Sequence, residues 1–378
     1  MRGYRFILIV GLVVAGSPWG RAQWQMQTSN TTADLRGIHN VGNGVAWASG
    51  TNGTVLRTED GGYVWQTCAI PPGAEKLDFR GIQAFDANTA IVMSSGKGDL
   101  SRLYKTTDGC HTWKLTFTNP DKDGFWDALV VDHERRGWLL GDPVKGQFTL
   151  FASWDNGETW IRQQNRLLKA VPEAQGAFAA SNTSLFSILG AVVFGSGGVG
   201  GAKVYRQTQM SACLDAGCSP YPDPHGRELT WEVQTVPVGQ QSQSSGVFSV
   251  AGKLRRFVGN LRESEMVAIG GDYSKPDEPT GTAAYSVDGG EHWSSAQTPP
   301  HGYRSSVAYD EKTKTWITVG PNGTDISTDD GKNWRAIHPD ASLHEAADAD
   351  RNWNALSLPY VVGPKGRIGK LEPAALKK

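Results

Sequence analysis

The sequence predicts an all-β fold: a seven-bladed β-propeller of four-stranded blades, closed by an N-terminal strand that joins the last blade. Three observations lead to this prediction. A turn motif recurs along the chain, tryptophans recur at blade-like intervals, and the two ends carry complementary parts of one repeat. A chain of 378 residues with 46 glycines and 14 tryptophans suits such a fold, because glycine-rich turns and short strands are typical of all-β proteins.

The recurring motif reads Ser or Thr, any residue, Asp, any residue, Gly, two further residues and Trp. Four copies fit it and a fifth has Cys110 at the glycine position; their aspartates are Asp60, Asp108, Asp155, Asp288 and Asp329. The Asp carboxylate can accept hydrogen bonds from the backbone N–H groups that follow it, and Gly supplies the positive φ of a tight hairpin. We therefore predict structural rather than catalytic roles for these five aspartates.

Seven tryptophans are predicted to open the outermost strands of the blades. They are Trp24, Trp65, Trp113, Trp160, Trp231, Trp293 and Trp334. Most intervals between them are close to the ~40–50 residues of a four-stranded blade. The turn before Trp231 lacks the motif, so the strands on either side of Trp231 can be divided differently between blades. Six blades are therefore the alternative. The segment at Trp24 lacks inner strands before it, and the stretch 344–371 lacks a Trp strand after it, so residues near 24–30 are expected to complete the last blade.

The turn motif resembles the Asp box, or BNR repeat, of sialidases and related β-propellers. The longer segments GVAWASGTNGTVLRTEDGGYVW and TWITVGPNGTDISTDDGKNW resemble the Ycf48 family of photosystem II assembly factors, and the resemblance covers nearly the whole mature chain. That family also occurs as secreted proteins in non-photosynthetic bacteria. The resemblance implies a non-enzymatic scaffold that holds a protein partner through arginines on one propeller face. By position, it favours Arg36, Arg80 and Arg304.

A binding site is expected on the face opposite the repeat turns, where loop lengths vary and the inner strands open on the channel. Aligning the starts of the innermost strands, including His344–Glu345 in the last blade, and adding the loops after the second strands gives the candidate residues Arg36, Arg80, Trp126, Asp127, Asp142, Asp272, Tyr273 and Arg304. Convergent guanidinium groups bind carboxylates, which indicates a protein or peptide partner. The alternative is that each arginine pairs with a neighbouring acid and joins adjacent blades.

A sialidase-like glycoside hydrolase is the alternative function. Arg36, Arg80 and Arg304 would form its arginine triad, and Tyr303 or Tyr273 its nucleophile. The Arg-Ile-Pro word that opens sialidases is absent, because Arg36-Gly37-Ile38 is followed by His39.

Other function classes lack a sequence signal. The chain contains no strand–GxGxxG–helix unit, no haem CxxCH, and eight histidines without a ligand pattern, so neither cofactor nor metal is predicted. A net charge of -1 gives no electrostatic basis for binding nucleic acid.

Export is indicated by residues 1–22, where Arg2 and Arg5 precede the apolar run Phe6 to Ala15. We expect a cleaved signal peptide, no stable membrane span afterwards, and a monomer in the periplasm or the medium; an uncleaved anchor is the alternative. One propeller domain at 23–372 and a flexible tail at 373–378 would follow. Cys213 can pair with Cys218 within a short loop, and Cys68 with Cys110 across adjacent repeats.

Overall fold

The structure is a computed structural model that describes residues 23–132, 135–163, 167–170, 174–188, 191–208, 230–239, 241–254, 264–372 and 376. The predicted signal peptide at 1–22 and the Cys213–Cys218 loop lie outside the described residues. Most of the predicted tail at 373–378 lies outside them as well. Leu376 is described, and it is buried in the same apolar cluster as Trp24 and Trp353.

The described residues form seven antiparallel sheets of four strands each, which confirms the predicted β-propeller. Blade one contains β2 (Leu35–Gly42), β3 (Val45–Gly50), β4 (Val55–Thr58) and β5 (Gln66–Thr67). Blade two contains β6 (Phe79–Ala84), β7 (Ala90–Ser94), β8 (Arg102–Thr106) and β9 (Lys114–Thr118). Blade three contains β10 (Trp126–Val131), β11 (Gly137–Val144), β12 (Gln147–Ser153) and β13 (Ile161–Arg162).

The remaining blades repeat this order. Blade four contains β14 (Leu185–Ile188), β15 (Ala191–Ser196), β16 (Lys203–Thr208) and β17 (Thr230–Thr235). Blade five contains β18 (Ser245–Leu254), β19 (Ser264–Asp272), β20 (Ala283–Ser286) and β21 (Ser294–Ser295). Blade six contains β22 (Ser306–Asp310), β23 (Thr315–Gly320), β24 (Gly323–Ser327) and β25 (Arg335–Ile337). Blade seven contains β26 (Ala355–Ser357), β27 (Tyr360–Val362), β28 (Ile368–Leu371) and, as its fourth strand, β1 (Trp24–Gln27).

The N-terminal strand closes the ring as predicted. Strand β1 pairs with β28 in antiparallel register from Trp24 opposite Leu371 to Gln27 opposite Ile368. The first strands of successive blades contact one another around the ring, and β26 of blade seven contacts β2 of blade one. Seven blades are therefore present, and the six-bladed alternative is wrong.

The five repeat turns share one hydrogen-bond pattern. In the copy at Ser153, the hydroxyl donates to Asp155 Oδ1 at 2.8 Å and accepts from the Gly157 N–H at 2.9 Å, while Asp155 Oδ1 also accepts from the Thr159 N–H at 2.9 Å. The hydroxyl bonds recur in the other four copies. The aspartates thus serve the turn, because one carboxylate oxygen holds both sides of it.

Neighbouring blades are joined by apolar clusters, by long basic side chains and by one disulfide. Lys105 Nζ donates to the Asn156 carbonyl of the next blade at 3.0 Å, and Lys370 Nζ donates to the Gly61 carbonyl at 3.0 Å. The disulfide links Cys68, after β5, to Cys110, in the repeat turn of blade two, with 5.3 Å between their Cα atoms. The expected pairing of Cys68 with Cys110 across adjacent repeats is therefore present.

The helices of the described residues are two short 3-10 turns, Gly98–Leu100 and Ala341–Leu343. None of the described helical segments has the length and apolar character required to cross a membrane. The second turn corrects one expected alignment. His344 ends this turn, and the innermost strand of blade seven begins only at Ala355, so His344–Glu345 do not open that strand.

Candidate functional site

A β-bulge interrupts the first strand in four blades, on the face opposite the repeat turns. The register skips one residue after Leu35, Phe79, Trp126 and Val247, which leaves as bulged residues Arg36, Arg80, Asp127 and Phe248. A bulge re-aims the side chain of its extra residue and often lies beside a functional site. These four residues therefore occupy equivalent places at the mouth of the channel.

The bulged arginines of blades one and two share one carboxylate. Arg36 Nε lies 3.3 Å from Asp78 Oδ1, and Arg80 Nε lies 2.8 Å from Asp78 Oδ2. All three side chains are partly open to solvent, with relative exposures of 29%, 30% and 24% for Arg36, Arg80 and Asp78. Two guanidinium groups and one carboxylate leave one positive charge in excess within this group.

The bulged residue of blade three brings a second pair of carboxyl groups to the same face. Asp127 is 1% exposed, and its Oδ2 has no hydrogen-bond partner among the described residues. Burial and the nearby Asp142 raise the pKa of Asp127 well above its usual range, and Arg80 opposes the shift. Burial also raises the pKa of Asp142 to about 6. Burial thus disfavours the charged form of Asp127, and the pKa of Asp142 lies nearer to neutral pH than that of an ordinary aspartate.

A segment that precedes blade four crosses the channel mouth; we call residues 176–184 the channel plug. Its Asn182 accepts a hydrogen bond from the Leu129 N–H at 2.8 Å and donates one to the Leu129 carbonyl at 2.9 Å, on the inner strand of blade three. Gly81 of blade two lies close beneath it, since a Cβ at that position would sit 2.7 Å from Asn182 Oδ1.

The plug also reaches the opposite side of the ring. Ser181 Oγ donates to the Ser305 carbonyl of blade six at 2.7 Å, and Thr183 Oγ1 donates to Ser249 Oγ of blade five at 2.7 Å. Together with the contacts to blades two and three, these bonds tie one segment to four blades. The plug therefore fills the centre of the ring on the face that carries Arg36 and Arg80.

Aromatic residues line the part of this face next to the plug. Phe178 of the plug stacks on the bulged Phe248 with ring centroids 3.8 Å apart, and Tyr303 meets Phe248 edge-on at 4.8 Å. Tyr273 packs against Phe248 at 6.0 Å and is 55% exposed. We call these four residues the aromatic patch.

The loop that presents Tyr273 is fixed by its neighbour Asp272. This carboxylate is 4% exposed and accepts hydrogen bonds from Ser242 Oγ at 2.9 Å and from the Ser274 N–H at 2.9 Å. Burial opposes ionisation of Asp272, but the serine hydrogen bonds outweigh it and lower its pKa to about 2. Asp272 is therefore a structural anchor of the loop.

Arg304 is not exposed at the channel mouth. Its side chain is 0% exposed, its Nε lies 2.8 Å from Asp325 Oδ2, and its terminal nitrogens bond to Asp325 and Asn322. The pairing register of blade six explains this position. Ser306 pairs with Val319 in the way that Gly37 pairs with Ser49 in blade one, so Ser306 is equivalent to Gly37. Arg304, two residues earlier, is therefore equivalent to the core residue Leu35. Arg304 is therefore paired with an acid, Asp325, which is the alternative to a role in binding.

Trp126 occupies the same core place in blade three. It is 0% exposed and stacks on Phe117 with ring centroids 5.3 Å apart. The structure therefore brings Arg36, Arg80, Asp127 and Asp142 together, with Tyr273 in the neighbouring aromatic patch, and it places Trp126 and Arg304 in the core. Sequence reasoning missed Asp78, the plug and Phe248. The signal that identifies Phe248 is that Val247-Phe248 aligns with Leu35-Arg36 and Phe79-Arg80 at the start of an inner strand.

Among the residues that the structure describes, one group has the composition of a metal site, and it lies away from the channel face. Donor atoms of Asp288, Glu291 and His292 lie within 4.8 Å of one another. Asp288 and His292 already bond to each other at 2.7 Å, and Asp288 accepts the turn bond from Ser286 Oγ at 2.8 Å. The proximity of these groups follows from the repeat turn.

The fold and the channel face define a seven-bladed β-propeller scaffold. The chain is similar to Ycf48, the assembly lipoprotein of photosystem II, from Picosynechococcus sp. (strain ATCC 27264 / PCC 7002 / PR-6): 24% identity over 206 residues, covering 42% of this chain and 56% of that protein. The match thus spans little more than half of the relative. No family model matches the chain.

Two solved structures share the fold over nearly the whole chain. YCF48 bound to D1 peptide aligns with a TM-score of 0.58 and 16% identity, covering 92% of this chain and 96% of that one. YCF48 from Cyanidioschyzon merolae aligns with a TM-score of 0.58 and 16% identity, covering 93% and 99%. The predicted resemblance to the Ycf48 family is confirmed, and the two solved structures share the β-propeller fold of this chain.

Proposed function

We propose that this chain is an exported, non-enzymatic scaffold that holds a protein or peptide partner on the face that carries Arg36 and Arg80. The proposal rests on one observation: both guanidinium groups pair with Asp78 and remain partly open to solvent. A partner carboxylate is the complementary group, because planar guanidinium groups bind carboxylates with two parallel hydrogen bonds. The similarity to YCF48, which has been solved with D1 peptide, supports a peptide as the partner.

The glycosidase alternative loses the residues on which it depended. Its arginine triad required Arg304, which is fully buried against Asp325. Tyr303, one of its two candidate nucleophiles, is 7% exposed, and burial raises its pKa far above the usual value of a tyrosine. Tyr273 remains open to solvent but packs in the aromatic patch. Partner binding is therefore the function that the channel face supports best.

Export to the periplasm or the medium is part of the proposal. The disulfide between Cys68 and Cys110 supports it, since disulfides persist in oxidising compartments. The sequence pattern of residues 1–22 supports it independently. The proposed state of the mature protein is a monomer with one binding face.

The test is a titration of the mature protein with fluorescein-labelled peptides that end either in a free carboxylate or in an amide, read by fluorescence anisotropy. We expect the acid to bind more tightly, and we expect Arg36→Ala with Arg80→Ala to weaken it by about 10- to 100-fold, as for a charge-assisted contact. Arg335→Ala is the matched control, because Arg335 is exposed on the outer strand of blade six. Equal binding by the double variant and the wild type would refute this assignment.

A further inference from the structure

The aromatic patch is continuous with the arginine pair through three consecutive residues of the plug. The Ala177 N–H donates to Asp142 Oδ1 at 3.0 Å, Phe178 stacks on Phe248, and the Ala179 carbonyl accepts from Arg80 at 3.2 Å. Ala179 follows Phe178 directly, so the Cα atom of Phe178 lies about 3.8 Å from that of the residue that Arg80 contacts. A bound extended peptide would span the same distance with one or two of its own residues.

We infer that Phe178 and Tyr273 form an apolar subsite that takes an aliphatic or aromatic side chain of the partner, next to the carboxylate held by Arg36 and Arg80. The inference rests on the proposed function and specifies its partner. Phe248 and Tyr303 are 3% and 7% exposed and form the floor, whereas Tyr273 is 55% exposed and Phe178 is half-buried. An exposed aromatic side chain over an apolar floor gains free energy when another apolar group covers it.

The charges around the patch favour an apolar side chain over a cationic one. Asp272, the acid next to Tyr273, directs its carboxylate to serine hydroxyls and to the Ser274 backbone and is nearly fully buried. It is therefore engaged in the loop. The exposed Lys275, two residues after Tyr273, and the arginine pair repel a cation, and Asp277 accepts a hydrogen bond from Asn322. The partner is then a peptide with a carboxylate and, one or two residues away, a side chain such as Leu or Phe.

The experiment uses a set of labelled heptapeptides built from Gly and Ser, with a free C-terminal carboxylate and a single Leu placed in turn at each of the last four positions. The matching all-Gly/Ser peptide and the C-terminal amides are the controls. For wild-type protein we expect one Leu position to bind roughly tenfold more tightly than the all-Gly/Ser peptide, the gain expected from partly covering one apolar side chain.

Variants separate the two parts of the surface. Tyr273→Ala should remove the preference for Leu and keep the preference for acid over amide, whereas Tyr273→Phe should keep both. Arg36→Ala should weaken the acid preference and keep the Leu preference, because Arg36 pairs with Asp78, whereas the bond from this pair to the Ala179 carbonyl of the plug is made by Arg80. Tyr63→Ala is the matched control, because Tyr63 is a tyrosine 82% exposed in the repeat turn of blade one, on the other face. Circular dichroism establishes that each variant is folded.

The outcomes are distinguishable. Binding that depends on the carboxylate and on Arg36, with equal affinity wherever Leu is placed or omitted, overturns the apolar subsite and leaves the proposed function standing. No binding by any acid peptide at millimolar concentration overturns the proposed function and the subsite with it. A Leu preference that Tyr63→Ala removes and Tyr273→Ala keeps would place the subsite on the opposite face.

Discussion

Arg80 donates a hydrogen bond to the carbonyl oxygen of Ala179, which lies 3.2 Å from its guanidinium and 99 residues further along the chain. The same arginine pairs with Asp78 at 2.8 Å. The residue that we assign to partner binding therefore also positions the channel plug. The plug in turn carries Phe178, so the charged and apolar parts of the proposed surface are fixed relative to each other.

The buried pair of Arg304 and Asp325 should dominate the stability of blade six. Arg304→Ala leaves the Asp325 carboxylate, which is 1% exposed, without its cation and should lower the free energy of unfolding by about 3–5 kcal/mol. Arg36→Ala removes a partly exposed pair and should cost less than about 1 kcal/mol. Urea unfolding followed by tryptophan fluorescence measures both. Equal losses for the two variants would contradict the buried role of Arg304.

Asp142 should make the protein less stable as the pH rises. Its folded-state pKa of about 6 lies above the usual 3.8, so its contribution is full below pH 4 and is lost as the pH rises through about 6. The Ala177 N–H, which donates to Asp142, opposes this shift, and Asp142 in turn raises the pKa of Asp127. Asp142→Asn should therefore be more stable than wild type at pH 8, by up to about 3 kcal/mol, and equal to it near pH 3.5.

Asp272→Asn is the control variant, because the pKa of Asp272 is lowered whereas that of Asp142 is raised. The serine hydrogen bonds lower the pKa of Asp272 to about 2, so its contribution is present above pH 4 and is lost as the pH falls toward 2. The Asn variant should then be less stable than wild type at pH 8, and the difference should shrink in acid. Urea titrations at a series of pH values measure both curves, and parallel curves for the two variants would contradict the assigned shifts.

The disulfide between Cys68 and Cys110 should contribute about 2–4 kcal/mol, because the two residues are 42 positions apart and the bond restricts the unfolded chain. Cys110 has a φ of 66°, in the left-handed region that a glycine occupies in the other repeat turns. Among disulfide-free variants, Cys68→Ala with Cys110→Gly should be about 1 kcal/mol more stable than Cys68→Ala with Cys110→Ala. Thermal melting compares them, and the reverse order would rule out backbone conformation as the reason.

Closure of the ring should depend on Trp24. This side chain is 3% exposed and packs on Trp353 with ring centroids 5.8 Å apart, so Trp24→Ala should cost about 3–5 kcal/mol. Met26 lies on the same strand but is 39% exposed, and Met26→Ala should be close to neutral. Hydrogen exchange of the β28 amides gives a local readout. Unchanged protection in Trp24→Ala would show that the first strand contributes little to closure.

The blades were predictable because their signals are local. The aspartate, the glycine and the tryptophan of each repeat turn act within eight residues, and hydroxyl–carboxylate bonds such as that of Ser153 with Asp155 form inside one hairpin. The ring closure was also predictable, because Trp24 and the last blade carry complementary halves of one repeat.

The site was only partly predictable, because its geometry depends on single-residue register and on distant contacts. Aligning Arg304 with Arg36 by residue type shifts blade six by one position, and the buried partner that explains Arg304, Asp325, lies 21 residues away. The plug has no local signature either. Its bonds run to residues such as Leu129 and Ser305, 53 and 124 positions away in the sequence.

The pairing of β1 with β28 sets an order of events during biosynthesis. Translation starts at the N-terminus, so Trp24 to Gln27 emerge before the other twenty-seven strands of the described residues, and their pairing partner, Ile368 to Leu371, emerges last of these strands. The earliest strand must wait in an unpaired state until the chain is almost complete, which exposes its backbone to other molecules. A nascent chain stalled before Ile368 would accordingly be an open ring with an unpaired strand edge at each end. These two edges are where a chaperone that holds unfolded chains would bind.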